Sequence, residues 1–581
     1  MNAASPPPPP APRRRKALMA LGALAAAMTP VLLLGVPPWR QHLLQSLGLA
    51  RPSSPLAPPM LRCWHQGERH FDVIVYGDEP AGVMTALELQ RQLRARAGVR
   101  HPRIALLHSD ALNAPIGGTI SRSGLAYLDR NQVPPDLRSD HPLFAPSSAL
   151  YRRFLQLTGV RVIAVDPRRA AHAFAKALKA EGITVLADAQ LGRVTLEGQR
   201  LCSLVSTRYG SLGAAYFVDA SLGADLAHRA GVPFISGLGP PGFARDSIAL
   251  GWVFEVYGLS LEAVREAETR LTDRLLDAND DEAQRWLALW PEYRGRPSRH
   301  QLITDLLDPL GRPLLAYGAT VDSADQQSPV FAIAFQGQNG IPPRSPNWRV
   351  RLDQANIAIL PGRLSFNALI FHNDAAQNRR VLADQARPLT WMQPTALAVT
   401  RFFRRLGASR VVWMPELYVR SADEIAHSVQ PLSAIQMAQG GVAAAQALGT
   451  FTYPLDFRGG LSRFVPPARP TFNFGYRHTL PREVSNLAVL GPAAGYGGLG
   501  EGAGRIIELN ISVGQGLATA IALAVKQQLP LAAVDPVTVA ALRPPGYNAY
   551  GRPSQRTLLR VVLDRLEDLM LLPYRRTPGP S

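Results

Sequence analysis

Cysteine is nearly missing: the 581 residues hold two, Cys63 and Cys202. Neither belongs to a C-x-x-C pair or lies beside a histidine cluster with metal-ligand spacing, so zinc, iron–sulfur and disulfide-framework architectures are excluded. One bridge between the two stays open, although two unrelated small buried residues is the reading the sequence favours. Charge is scarce as well, with 18% charged residues and no long block of one sign. The 62 Lys+Arg against 44 Asp+Glu give +18, and nearly all of that cation is arginine scattered along the chain. No basic helix or aromatic-interleaved basic groove stands out, which argues against a nucleic-acid partner and leaves an anionic membrane or ligand open. The 46% hydrophobic content rules out wholesale disorder. A chain of this length is expected to form two or more packed units or one large interleaved enzyme fold.

The amino terminus has its own pattern. Residues 1–16 are a Pro/Arg-rich tail expected to be disordered, and Ala17 to Val36 follow without one charge. At about 1.5 Å rise per residue that run covers about 30 Å, the hydrocarbon thickness of a bilayer. A transmembrane helix or signal anchor is therefore expected at 17–36; a cleaved signal peptide, cut near Ala25-Ala26-Ala27, is the competing reading. Four basic residues, Arg13 to Lys16, precede the run and only Arg40 and Arg51 follow it closely, which places the body of the chain on the exported side. Arg14-Arg15-Lys16 loosely resembles a twin-arginine export signal. Residues 37–70 read as a linker, with a proline-rich tether at 51–59.

Phe71 to Tyr76 (FDVIVY) is a β-branched and aromatic run, Gly77-Asp-Glu-Pro-Ala-Gly82 follows, and Val83 to Ala97 carries a helical apolar face. Arg103 to Leu107 supplies the next strand and completes a βαβ unit. In such a unit the first glycine makes the turn, the second lets the backbone approach a diphosphate and the third lets helix and strand pack. Gly77 and Gly82 take the first and third places, Glu79 stands in the second, and Ala81 lies beside them. A carboxylate about 4 Å from a phosphate costs about 1 kcal/mol in water and about 4 kcal/mol at a partly buried site, so Glu79 must point away, be compensated or alter the pose. His108, at the end of the second strand, and Asp110 are the candidates for a ribose contact.

Four later segments stand in a matching order: Ile116-Gly-Gly-Thr-Ile-Ser-Arg-Ser-Gly124; Tyr216-Phe-Val-Asp-Ala-Ser-Leu-Gly-Ala-Asp225; Leu417-Tyr-Val-Arg-Ser-Ala-Asp-Glu424 with Tyr453-Pro-Leu-Asp-Phe457; and Asn486-Leu-Ala-Val-Leu-Gly-Pro492, followed by a stretch rich in glycine and an apolar helix. Together with the opening turn they resemble the FAD-dependent oxidoreductase family. The resemblance runs discontinuously from Phe71 to about Pro530. It implies FAD as cofactor and contacts from Gly117, Gly118 and Thr119, from Asp219, Ala220 and Gly223, and from Gly491, Gly498, Arg505, Asn510 and Gly514. Arg420 is the candidate catalytic residue, a guanidinium facing the flavin that binds an anionic substrate or stabilises charge on the reduced ring. No metal site is expected.

The implied fold class is α/β, with a Rossmann-like FAD-binding domain assembled from segments 71–234 and 472–530. An α+β substrate-facing domain is inserted at 235–471, and a C-terminal extension, 531–581, carries an amphipathic helix at 557–572. The expected function is a membrane-anchored FAD-dependent oxidoreductase moving a hydride or two electrons between a small organic molecule and an unassigned acceptor, with the bilayer as partner. A different reading, motivated by Glu79, His108, Ser221 and Pro492, is a degenerate flavin fold serving as a membrane-tethered scaffold. A reductase that also binds NAD(P)H ranks last, because no second complete G-x-G-x-x-G unit occurs.

Overall fold

The computed structural model describes Cys63 and residues 69–544, without 133–146, 240–242, 291–292, 294–297, 309, 315, 327, 342–349 and 458–468. The expected anchor at 17–36 and the C-terminal helix at 557–572 lie outside the described residues.

The chain opens on β1 (Arg69–Tyr76), the first helix (Pro80–Arg96) and β2 (Ile104–Leu107). Val73 to Tyr76 and all four residues of β2 are buried, as expected for strands covered on both faces, where apolar residues run on without alternation. A helix at Pro167–Ala180 then leads to β3 (Thr184–Leu186). It begins where Asp166 accepts from the Arg168 and Arg169 amides, with Pro167 at the position where a missing N–H costs nothing. The antiparallel run β4 (Leu191–Glu197), β5 (Arg200–Ser206) and β6 (Gly210–Asp219) follows. The sheet order is β3-β2-β1-β6-β5-β4, with β1 parallel to both β2 and β6.

β7 (Phe234–Ile235) leads out of this sheet into a second one. That sheet is antiparallel, in the order β13-β8-β12-β11-β10-β9, from β8 (Leu250–Tyr257), β9 (Ala316–Thr320), β10 (Ser323–Gln326), β11 (Val350–Leu360), β12 (Arg363–Phe371) and β13 (Arg410–Trp413). Its core is aromatic: the Phe254 ring stacks on Phe366 at 5.4 Å and meets the edge of Phe403 at 5.1 Å. β14 (Glu424–Ile425) returns to pair with β7, and β15 (Gly449–Thr452) pairs with β16 (Thr471–Phe474). β17 (Leu487–Val489) then lies parallel to the end of β6, so segments far apart in sequence share the first sheet. The architecture is an α/β fold with a Rossmann-like mixed sheet and an antiparallel second domain.

The closing helix, Ile507–Gln527, packs on the first helix, and a Cβ at Gly514 would collide with the Thr85 hydroxyl. It is apolar and long enough to cross a membrane, yet it is buried in the core; a helix apolar on all sides is what such a position requires.

One expectation is corrected. Cys63 and Cys202 are joined by a disulfide, with Cα atoms 5.2 Å apart across a separation of 139 residues. Composition carries no information about so distant a pairing; β5 carries Cys202 to Cys63. At the start of the helix Asp225–Arg229 the Asp219 carboxylate accepts from the Ala227 amide at 2.9 Å.

Candidate functional site

The turn after β1 is shaped by contact between backbones. Gly77 has φ +101°, and a Cβ there would collide with the Ser221 amide; at Gly82 a Cβ would fall 2.7 Å from the Ala220 Cβ and 2.8 Å from the Gly77 carbonyl. Small residues therefore let the turn, the first helix and the end of β6 converge. Ala220 donates from its amide to the Tyr76 carbonyl at 2.6 Å. Below it, Asp219 is buried and accepts from the Ser221 amide and hydroxyl as well as from Ala227. Burial, with Asp225 nearby, pushes the Asp219 carboxyl up to about 7.

Glu79 is compensated from the next segment. The Thr119 amide donates to its two carboxylate oxygens at 3.2 and 3.1 Å, and the carboxylate fills the space where a Cβ on Gly118 would be. Burial first, and Asp78 second, push this carboxyl up to about 7. Asp78 itself accepts from the Gly117 amide at 3.0 Å. Burial alone would raise Asp78, but the Arg122 guanidinium at 2.6 Å overrides it and holds the group at about 2.

Arg122 also reaches Asp110 at 2.9 Å and Glu416 at 2.7 Å. Asp110 is thus spoken for, and the buried His108 lies 3.7 Å from it, away from the cleft described below. Asp78, His108 and Asp110 are close enough together to hold a metal ion; the guanidinium already supplies their positive charge. Arg122 escaped the sequence reading, although a charged residue inside a glycine-bearing stretch was the available signal.

A cleft opens at this convergence. Its walls include Glu79, Ala81, Thr119 and Ala220 on one side, Gly491, Arg505 and Asn510 from the closing segment, and Tyr418, Val419 and Arg420 from the segment after β13. Gly491 has φ +137° with open space where a Cβ would stand, and the adjoining Leu490 amide donates to the Asp219 carbonyl at 2.7 Å. Arg505 donates to the Tyr418 hydroxyl oxygen at 3.0 Å and to Asp456 at 2.8 Å. Asn510 donates to the Gly504 carbonyl at 2.7 Å and accepts from the Tyr496 hydroxyl at 2.9 Å.

Arg420 lines the cleft, but its guanidinium donates to the Ala249 carbonyl at 2.8 Å and to Asn367 at 3.0 Å, and lies 4.2 Å over the Tyr418 ring. Tyr418 therefore sits between two arginines, one over its face and one at its hydroxyl. The motif around Tyr418 gives no sign of this place in the sequence.

The remaining residues singled out from sequence stand behind the walls. Gly77, Gly82, Gly117, Gly118, Asp219 and Gly514 shape the elements that carry the lining, and Gly223 lies beside the Asp225 side chain. Gly498 packs against the Leu238 carbonyl, and its amide donates to Glu424 at 2.6 Å. Glu424 and Glu501 form a buried acid pair that no sequence motif announced. Burial pushes Glu424 up to about 8 and Glu501 well above the ordinary carboxyl range.

Solved structures similar to this chain include an anhydrotetracycline hydroxylase, OxyS, from Streptomyces rimosus, at 10% identity, with 86% of this chain and 74% of that one covered and a TM-score of 0.35. An L-proline dehydrogenase from P. horikoshii matches at 11% identity, over 81% of this chain and 98% of that one, with a TM-score of 0.34. The p-nitrophenol 4-monooxygenase PnpA from Pseudomonas putida DLL-E4 matches at 13% identity, over 88% and 100%, with a TM-score of 0.31. Likeness at this level says nothing of the reaction, and no curated protein matches the sequence. A family model described as FAD dependent oxidoreductase matches residues 72–544. The match spans both sheets, the turn after β1 and the closing helix, and the chain belongs to the FAD-dependent oxidoreductase family, an enzyme with FAD as its cofactor.

Proposed function

We propose that this oxidoreductase moves a hydride or two electrons between a small organic substrate and a separate acceptor, with the cofactor seated in the cleft and the substrate at the end walled by Tyr418, Val419 and Arg420. The observation that carries this reading is the cleft's composition. Six segments between Glu79 and Asn510 line it, combining an open left-handed glycine at Gly491 with two buried arginines, and the close-packed turn at Gly77 stands behind them.

The residues present suit FAD. The amino end of the first helix and the Thr119 amide would hold the diphosphate, since free amides at a helix start favour anions. Arg505 and Asn510 would lie along the rest of the molecule, with Arg505 kept in place by Asp456 and Tyr418. Bound FAD supplies the two-electron chemistry; the protein supplies orientation and charge. Arg505 and Arg420 place fixed positive charge at the substrate end, which favours an anionic substrate or negative charge that develops there. Tyr418, held at its oxygen by an Arg505 N–H, keeps its own proton available to an acceptor in the cleft.

Membrane anchoring through residues 17–36, with the body on the exported side, belongs to the same proposal. It is supported by the basic residues ahead of the apolar run and by the Cys63–Cys202 bridge, since such bonds persist in oxidising compartments.

Heat extraction of the purified protein followed by mass identification tests the cofactor; release of FAD in about one equivalent is expected, and colourless folded protein would count against its seat. Anaerobic bleaching of the flavin band by a panel of small hydroxy, amino and carboxylic compounds then sorts substrates. Alkaline extraction of membranes tests the anchor, because an anchored chain stays in the pellet.

A further inference from the structure

The strand–turn–helix opening puts two kinds of anion at one place. A cofactor diphosphate belongs at the turn after β1, against the amino end of the first helix and nearby peptide N–H groups. The Thr119 amide is such a group, and it already donates to both oxygens of Glu79, which leads directly into Pro80 at the helix start. Pro80 brings no N–H of its own, so donors here are few. Glu79 and Thr119 both line the cleft, and the Glu79 carboxylate occupies the space that Gly118 leaves by having no side chain.

We propose that the Glu79 carboxylate is an internal stand-in for the cofactor's diphosphate, seated on the Thr119 amide and displaced from it when FAD binds. The proposal rests on the reading of this cleft as the cofactor's seat. It turns the residue that most opposes the sequence motif into one that sets how tightly and under what conditions FAD is held. A carboxylate that kept its place would stand next to the phosphates with like charge, so occupation requires it to rotate away or to carry a proton.

The charged groups around Glu79 are Asp78 on its own turn, Arg122 from the segment after β2 and, across the cleft, Arg505 and Arg420. Burial and Asp78 push the Glu79 carboxyl up, Arg122 and the Thr119 hydrogen bonds pull it down, and the outcome is about 7. Protonated Glu79 gives up the like-charge conflict and can donate to a phosphate oxygen. Affinity for FAD is therefore expected to weaken as pH rises through about 7, whereas an arginine-only site would give no pH dependence there, since guanidinium does not titrate near 7.

The test uses the full chain, freed of cofactor by dialysis, and measures binding of FAD, ADP and riboflavin by flavin fluorescence or calorimetry at about pH 6 and about pH 8.5. Wild type is compared with Glu79→Gln and Glu79→Ala. At the higher pH, Glu79→Gln is expected to bind FAD and ADP about tenfold or more tightly than wild type, with the gap closing at the lower pH. Riboflavin, which carries no diphosphate, should bind the variants and wild type alike. Equal FAD affinities with equal pH dependence, or weaker binding by Glu79→Gln, would overturn the proposal. Should Glu79→Gln fold poorly, Glu79→Ala carries the same expectation. If neither wild type nor any variant binds FAD or ADP, the cleft itself is not the seat, which is a different failure and removes the proposal with it.

Discussion

The cleft wall contributed by the first sheet is made largely of backbone brought close by small residues, whereas the wall contributed by Tyr418 to Arg420 is made of side chains that hold one another. On the first, Gly77, Gly82 and Ala220 meet with no room for a methyl group. On the second, Tyr418 is braced by Arg505 and Arg420, which are in turn fixed by Asp456, Ala249 and Asn367. A backbone wall tolerates no added atom, and the charges that support it lie behind it in the Arg122 cluster. A side-chain wall tolerates changes of shape but depends on complete hydrogen bonding, because each buried cation needs its partners. The two walls should thus fail in different ways.

The largest effect is expected where charge underpins the backbone wall. Arg122→Met leaves Asp78, Asp110 and Glu416 facing one another without a cation, and breaking such a buried group costs about 3–5 kcal/mol. Urea unfolding of the purified variant measures it, and an unchanged midpoint would show that water enters the cluster freely. Next comes Gly77→Ala, which forces a methyl group into the Ser221 amide at a positive φ; about 2–3 kcal/mol is expected. Gly182→Ala is its control, also at a positive φ, +71°, but with nothing near its Cβ, and should cost about 1 kcal/mol. Equal losses at the two glycines would mean that conformation alone, and not close approach, governs the turn.

On the opposite wall, Tyr418→Phe removes the acceptor for Arg505 but keeps the ring under Arg420. A loss of about 1.5–3 kcal/mol is expected, as for one hydrogen bond to a charged group. Turnover should fall by more than that loss of stability implies if the phenol serves the substrate, which comparison of unfolding midpoints with kcat/KM checks.

The smallest effect per unit of pH is a slope. Asp219 at about 7 and Glu424 at about 8 are both raised by burial, so between the ordinary carboxyl range and about pH 8 the folded chain binds more protons than the unfolded one. Stability is then greatest near the ordinary carboxyl range, at about pH 4, and falls as pH rises towards 8. Asp78, held at about 2, acts in the other direction, and its contribution is lost only below about pH 4. Unfolding midpoints at about pH 5 and pH 8 test the sign, and Glu424→Gln should flatten the slope.

Much of the first wall was legible in the sequence because its signals are local. An apolar run, a glycine at the turn and another at the helix correctly mark β1, the turn and the first helix to within a few residues. The glycine-rich stretch before Arg505 likewise announces a backbone that must pass close to something. The second wall was only half legible. Arg420 was singled out from its segment, but the partners that occupy its guanidinium, Ala249 and Asn367, come from elsewhere in the chain. Arg122 and the Glu424–Glu501 pair were passed over for the same reason, since an isolated charged residue gives no sign of which neighbours will surround it. The Cys63–Cys202 bridge belongs with them.

What the amino-acid sequence determined by itself is the set of elements and the places where backbone must come close, because helix and strand periodicity and the lack of a side chain act over a few residues. What only the tertiary structure decided is which charges meet: that Glu79 would find the Thr119 amide, that Arg122 would gather three acids, and that Tyr418 would stand between two arginines. Burial gives each of those charges its consequence, since a group removed from water is governed by whatever partners the fold delivers, and most of those partners come from other segments of the chain.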